Sequence, residues 1–290
     1  MPIEPADITG PPDLTLFSIP RAFSGHTGVI QTNAIRSWAR LPRSEVMLFG
    51  AEEGIGELTH GLGVRHEPEI SSNALGTPLL SDAFARARRL ATSPIVAYVN
   101  ADIMFTSDLL EAVAALARAP FRSWVMVGQR RDVDISELID LDRVCEQAVL
   151  QDVALRGALH GKAGIDFVVF PRKLPIEFPP MAVGRPGWDS WLVYAVRKAG
   201  IPLVDATGVL CAIHQNHPSG YDPDGAEART NRAAAGGYYR MGTLRDADWH
   251  LIRAAAGGIE LHRRWAGVFW FSSPIRAALA LRRRFTSRVG

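Results

Sequence analysis

Residues 93–105, SPIVAYVNADIMF, constrain this chain more than any other stretch. Ile95, Val96, Ala97, Tyr98 and Val99 form a short apolar run that follows Ser93-Pro94 and stops at Asn100-Ala101-Asp102. Such a run, short and bounded by proline and a polar stop, predicts a strand of a parallel sheet buried on both faces. In open α/β sheets, ligands bind beyond the carboxyl ends of the strands. A carboxylate there, with another oxygen donor two residues before it, suits a hard divalent cation chelated by a diphosphate. Two readings of Asp102 are open at this point: a cation ligand, or a cap for the following helix, a task for which Ser107 competes.

The flanking sequence repeats one alternation. Residues 14–19, 45–50 and 64–70 read as strands, and residues 24–41, 55–62 and 79–91 as the helices between them. That order predicts right-handed crossovers and an α/β fold with a doubly wound, mainly parallel sheet flanked by helices. Further on, 108–119 reads as a helix, 124–128 as a strand and 130–134 as a charged exit. Residues 136–160 read as one long helix or two short ones, 165–170 as a strand, 188–199 as a helix and 202–213 as a late strand. Residues 1–250 are expected to form one catalytic domain behind a flexible first dozen residues, with 251–290 a basic, aromatic helical tail.

With 47% apolar and 21% charged residues, the 290-residue chain is a globular protein able to bury a large core. A formal net charge of +2 gives no reason to expect nucleic acid. Cys145 and Cys211 lie too far apart for a metal or redox motif, so both are expected as reduced thiols in a cytoplasmic protein. The acidic, Pro-rich start is no signal peptide, and no apolar run approaches the ~20 residues of a spanning helix.

Three groups of polar residues sit at the ends of expected strands: Glu52 with Glu53, Asn100 with Asp102, and His214 with His217. The carboxyl ends of parallel strands share one edge of the sheet, so the three are expected to meet. His214 reads either as a core histidine or as a ligand that joins Asp102 in a Mg²⁺ or Mn²⁺ site. His217, followed by Pro218, has the weaker case. In Gly184-Arg185-Pro186-Gly187-Trp188-Asp189-Ser190-Trp191, Asp189 opens a helix and reads either as a first-turn charge or as a general base. Trp188 and Trp191 bracket it, offering walls that raise its pKa and a stacking platform. Ser81 and Asp82, behind Gly76-Thr77-Pro78, read as a helix cap or as a phosphate site. The chain carries no G-x-G-x-x-G, no P-loop and no nucleophile elbow, which disfavours a dinucleotide dehydrogenase, a P-loop ATPase and a serine hydrolase.

The blocks FSIPRAF, GHTGVIQTNAIRSW, VMLFGAEEG, LGTPLLSDAFARA, YVNADIMF, GIDFVVFPR, GRPGWDSWL and DATGVLCAIHQNH span about residues 14–217. In this order they resemble the GT-A class of nucleotide-sugar glycosyltransferases, and more closely a bacterial, family-2-like group. The resemblance implies that Asn100, Ala101 and Asp102 occupy the place of a D-x-D motif that holds the metal–diphosphate, with Asn100 replacing its first acid. It places Ile19, Pro20 and Arg21 under the nucleotide and Glu52 or Glu53 near its base or ribose. Asp166 and Gly164 fall on the acceptor-side strand, and Arg185, Trp188 and Trp191 belong to the same acceptor side. His214 falls where a late metal or phosphate ligand stands. Asp189 falls where inverting members keep an acid, although Trp188 replaces the Glu before it.

The sequence therefore predicts an enzyme that moves a sugar from a nucleotide-diphosphate sugar to a hydroxyl of a glycan, a lipid-linked or a small-molecule acceptor, with Asp189 as base. A nucleotidyltransferase is the first rival, disfavoured by the lack of a Gly-rich, lysine-bearing first loop. A non-catalytic nucleotide-sugar or glycan-binding module is the second, suggested by Asn100. Residues 265–289, aromatic at their start and carrying Arg282, Arg283 and Arg284, read either as a helix packed on the domain or as a segment in weak contact with the inner face of an anionic membrane.

Overall fold

The computed structural model describes residues 13–218, 225–237 and 240–265. In its first half, strands β1 (Leu14–Ser18), β2 (Ser44–Phe49), β3 (Arg65–Glu67) and β4 (Ile95–Val99) alternate with helices α1 (Gly25–Ala39), α2 (Ile55–Leu62) and α3 (Leu80–Leu90). The short β5 (Ile103–Met104), helix α4 (Asp108–Ala117), β6 (Val125–Val127) and β7 (Arg130–Val133) follow. The second half adds α5 (Glu146–Arg156), β8 (Ala158–Leu159), β9 (Phe167–Pro171), α6 (Trp188–Lys198), β10 (Leu203–Asp205), β11 (Ala212–Gln215) and α7 (Ala226–Ala234). It closes with β12 (Trp249–Arg253) and β13 (Ile259–Arg263).

Nine strands form the central sheet in the order β13-β12-β10-β6-β9-β4-β1-β2-β3. The pairs β1–β2, β2–β3, β1–β4, β6–β10 and β10–β12 are parallel, while β9 runs antiparallel to both β4 and β6. The fold is thus mixed α/β with a large, mainly parallel sheet. Side chains of β1 and β4 alternate between two apolar cores. Leu14, Leu16, Ala97 and Val99 pack with α1 and α4, and Phe17, Val96 and Tyr98 pack with α3 and α6. That two-sided burial is the reason β4 is apolar at every position. A second sheet, β5-β11-β7-β8, sits beyond the carboxyl ends of the first and carries most of the site.

Three parts of the chain differ from the sequence reading. Residues 130–134, expected as a charged exit, form β7 of the second sheet. Within 136–160 only α5 is an α-helix, because the Asn33 side chain takes over backbone bonding nearby: Nδ2 donates to Glu137 O and Oδ1 accepts from Ile139 N–H. Residues 251–263 are strand rather than helix. β12 and β13 pair across a turn in which Gly257 and Gly258 both hold positive φ, a conformation that favours glycine and closes hairpins. The expected domain boundary at 250 therefore cuts a strand of the central sheet. The rest of the tail, residues 266–290 with Arg282–Arg284, lies outside the described residues, and among those described no helix is long and apolar enough to cross a membrane.

Candidate active site

The second sheet assembles a cluster around Asp102. After β4 the chain turns tightly, with Ile103 N–H donating to Asn100 O at 3.1 Å, and enters β5. β11 pairs antiparallel with β5, placing His214 opposite Ile103, and parallel with β7, placing His214 opposite Asp132. The buried Gln215 amide, Nε2, donates to Asp102 O at 3.2 Å and to Ile30 O at 2.7 Å, tying the Asp102 turn to α1. His217 Nε2 then lies 2.9 Å from Asp102 Oδ2, and His214 Nε2 lies 3.7 Å from the same oxygen.

Asp102, His214 and His217 offer ligand atoms that all lie within 4.8 Å of one another. Two features fit this set to a divalent cation. Asp102 Oδ1 is buried without a hydrogen-bond partner, an uncommon condition for a carboxylate oxygen. His217 Nδ1 sits 2.9 Å from Pro218 O, a group that can only accept, so Nδ1 carries a proton and Nε2 is the nitrogen turned to the acid. Metal-binding histidines take this arrangement, their second nitrogen donating to a carbonyl. The hydrogen bond to Asp102 raises the His217 pKa, whereas burial lowers that of His214 despite the Asp102 charge. Burial thus favours the neutral imidazole at His214.

Beside this cluster runs a chain of paired charges. Asn100 Nδ2 donates to Asp166 Oδ1 at 2.8 Å, and Arg130 Nη1 donates to Asp166 Oδ2 at 2.7 Å. Arg130 Nε also donates to Asp132 Oδ1 at 2.7 Å, while Asp132 Oδ2 lies 2.7 Å from His160 Nδ1. His214 Nδ1 stands 3.0 Å from Asp132 Oδ1 at an angle that makes no hydrogen bond. Burial and the Asp102 charge push the Asp166 pKa up against the pull of Arg130. Burial also works on Asp132, but the His160 bond and the Arg130 charge hold its carboxyl below the usual range.

Asp189 occupies the first turn of α6, and its Oδ2 accepts from Ile165 N–H at 3.4 Å. It thus stands against the residue preceding Asp166. Burial raises its pKa to about 6, Asp166 adding to the rise and the Ser190 N–H opposing it. A carboxylate of that pKa is ionised at neutral pH and basic enough to take a proton from a hydroxyl.

The remaining residues fall into three groups. Ile19 and Pro20 are buried at the end of β1, Arg21 is exposed next to them, and Arg21 is close enough to lower the His217 pKa by its charge. Glu52 and Glu53 are exposed after β2, on the edge that β1 and β4 share. Ala101 lies within the Asn100–Ile103 turn. Other side chains already have protein partners. Asp82 Oδ2 accepts from Ser71 N–H at 2.7 Å and Arg86 Nε at 2.9 Å, and the Leu80 N–H beside Ser81 donates to Met181 O. Arg185 grips Glu227 at 2.6 Å. Trp188 is a core residue edge-on to Tyr98, and Trp191 is half-buried against Phe178. Gly164 leaves room for His160, whose ring lies 2.6 Å from where a Cβ would be.

Solved structures with a similar course of chain include glucosyl-3-phosphoglycerate synthase from Mycobacterium tuberculosis in complex with Mn²⁺, UDP and glucosyl-3-phosphoglycerate. It is 14% identical, with 87% of each chain covered and a TM-score of 0.48. A mannosyltransferase from Pyrobaculum calidifontis in complex with GDP-Man and Mn²⁺ is 15% identical, covering 76% of this chain and 62% of its own, with a TM-score of 0.42. TarS from S. aureus in complex with UDP-GlcNAc is 16% identical over 44% of this chain and 37% of its own, with a TM-score of 0.32. No family model matches the chain, and no curated protein matches it by sequence.

Sequence reasoning did not single out Arg130, Asp132, His160 or Gln215 as site residues. Arg130 and Asp132 carried one available signal, since charged residues at alternate positions after an apolar strand suit a strand with one face on a polar site. His160 carried none, because its approach to Asp132 depends on the β7–β8 pairing.

Proposed function

We propose that this protein is a glycosyltransferase that moves a sugar from a nucleotide-diphosphate sugar to a hydroxyl acceptor. The observation that carries the reading is the Asp102 carboxylate at the carboxyl end of the central strand, its Oδ1 buried and bare and its Oδ2 approached by two imidazoles. Asp102, His214 and His217 would hold Mg²⁺ or Mn²⁺, the mixed nitrogen and oxygen donors suiting Mn²⁺ better. Such an ion supplies positive charge against the developing charge of a leaving diphosphate.

The chain's own residues do the rest in this reading. Ile19, Pro20 and Arg21 line the nucleotide, and Glu52 or Glu53 approaches its base or ribose. Asn100 and Arg130 hold the Asp166 carboxylate in one orientation beside the acceptor. Asp189, poised by burial, takes the proton of the acceptor hydroxyl in an inverting displacement. A cytoplasmic location, with residues 265–289 touching an anionic membrane surface, belongs to the same reading and rests on composition alone.

Incubation of the full chain with UDP-, GDP- and dTDP-sugars and Mn²⁺ tests the reading through release of the nucleoside diphosphate. Asp189→Asn is expected to abolish transfer while donor binding persists, and substantial remaining turnover rejects the base assignment. A second reading, a non-catalytic nucleotide-sugar-binding module, draws on one observation: the Asn100 amide is spent on Asp166, so Asp102 is the sole acid of its motif. Donor-dependent thermal stabilisation without release of nucleoside diphosphate from any donor favours that module.

A further inference from the structure

The edge of the sheet opposite Asp102 carries a second polar site. β9 runs antiparallel to β4 with Pro171 opposite Ile95, so Arg172 and Lys173 emerge at the amino end of β4. The length of that strand, roughly 17 Å, separates them from the Asp102 turn. There Arg172 and Lys173 meet the last turn of α3, and Ala85, Arg88, Arg89, Arg172 and Lys173 line an open pocket of about 580 Å³.

The charges of this pocket are not neutralised. Among the described residues no carboxylate lies within ion-pair distance of Arg88, Arg89, Arg172 or Lys173. Arg86 on the same helix, by contrast, bonds Asp82 at 2.9 Å and reaches Glu69 at 3.9 Å. Arg88 is held by three carbonyls: Nε donates to Arg172 O at 2.9 Å, Nη1 to Ile176 O at 3.1 Å and Nη2 to Leu174 O at 2.7 Å. Those carbonyls belong to the segment after β9 and not to the end of α3, so Arg88 is not simply completing the helix dipole. Arg172 does bond the α3 terminus, through Nη1 to Ala91 O. Arg88 and Arg172 are therefore fixed charges in the wall, while Arg89 and Lys173 are exposed and make no hydrogen bond or ion pair.

We propose that this pocket binds a phosphate group. Two guanidinium groups already oriented by the backbone, with two free cations at the rim, match a compact anion with several acceptor oxygens. The four converge on one pocket and form no track along the surface, which suits a single phosphate better than a nucleic acid strand. A phospholipid headgroup and a free phosphate share this chemistry. The site lies away from the donor-binding edge, so its test is independent of the glycosyltransferase reading.

The experiment compares the full chain with Arg89→Ser/Lys173→Ser in metal-free buffer. One arm titrates inorganic phosphate by calorimetry. The other measures flotation with phosphatidylcholine vesicles, with and without a minority of phosphatidylglycerol. The expected result is binding in at least one arm, weakened about tenfold or more in the double variant, since each lost cation removes a charge-assisted bond. Phosphate binding alone assigns a soluble anion, and flotation only with phosphatidylglycerol assigns a lipid headgroup. The replaced side chains make no bonds in the fold, so the melting temperature should be unchanged, and Lys173→Ser alone should give a smaller loss. No binding in either arm, or equal binding by both proteins, overturns the proposal.

Discussion

Asn100 and Asp166 face each other with the amide Nδ2 2.8 Å from the carboxylate Oδ1, and their backbones are joined as well, Asn100 N–H donating to Asp166 O at 2.8 Å. An amide donates to this carboxylate where an ionised acid could not, and the bond holds Asn100 toward the strand beside it. Asn100→Asp, which would restore a D-x-D pattern, sets two carboxylates against each other with Arg130 as their shared counter-charge. We predict a loss of about 2 kcal/mol or more at pH 8. The loss should shrink toward pH 5, as one carboxyl takes a proton and becomes a donor. Urea midpoints at the two pH values check this, and an unchanged midpoint at pH 8 contradicts it.

Asp189 is costly to keep ionised. Its pKa, raised by burial to about 6, exceeds that of the unfolded chain, so the folded state loses stability as pH rises between the two values and gains nothing back above pH 6. Asp189→Asn removes that loss. Thermal denaturation should show the variant more stable by about 1–3 kcal/mol at pH 7.5, with the difference fading below about pH 4, where both states of the parent are protonated.

Cation binding should appear as stability. At a hundredfold over its Kd a ligand adds about 2.7 kcal/mol, so millimolar Mn²⁺ is expected to raise the melting temperature of the full chain. Asp102→Asn should erase the rise. His217→Ala should reduce it sharply, and His214→Ala likewise, because each removes one donor of the cluster. Equal Mn²⁺ shifts in all four proteins would remove the cluster from consideration.

Trp38 links the core to the site. It is fully buried on α1, and its Nε1 donates to Ile103 O at 2.8 Å, one residue after Asp102. Trp38→Phe leaves that carbonyl unsatisfied and part of the space empty, for an expected cost of about 2–4 kcal/mol in chemical denaturation. The Mn²⁺-induced shift should fall as well, although Trp38 is not part of the cluster.

Legibility differed between fold and site. Short apolar runs marked β1, β2 and β4, and helical spacing marked α1 and α3, because each buries one face or both in a core that demands apolar side chains. Asp102, His214 and His217 could be named because strand ends in a parallel sheet share an edge. Other elements left weaker marks. The β12–β13 hairpin is only half-buried, and its strands carry Arg253, Glu260 and Arg263 where a core strand would be apolar.

The sequence by itself determined the sheet-and-helix alternation and the edge on which the polar residues gather, since both follow from local periodicity and from the chirality of the crossovers. Only the tertiary structure decided the partners: Asn100 and Arg130 with Asp166, Asp102 with His217, and Arg185 with Glu227. A charged side chain follows the same local pattern whatever it pairs with. Its partner is selected by strand register and by turns between residues as many as 115 apart in the chain, which no local preference encodes.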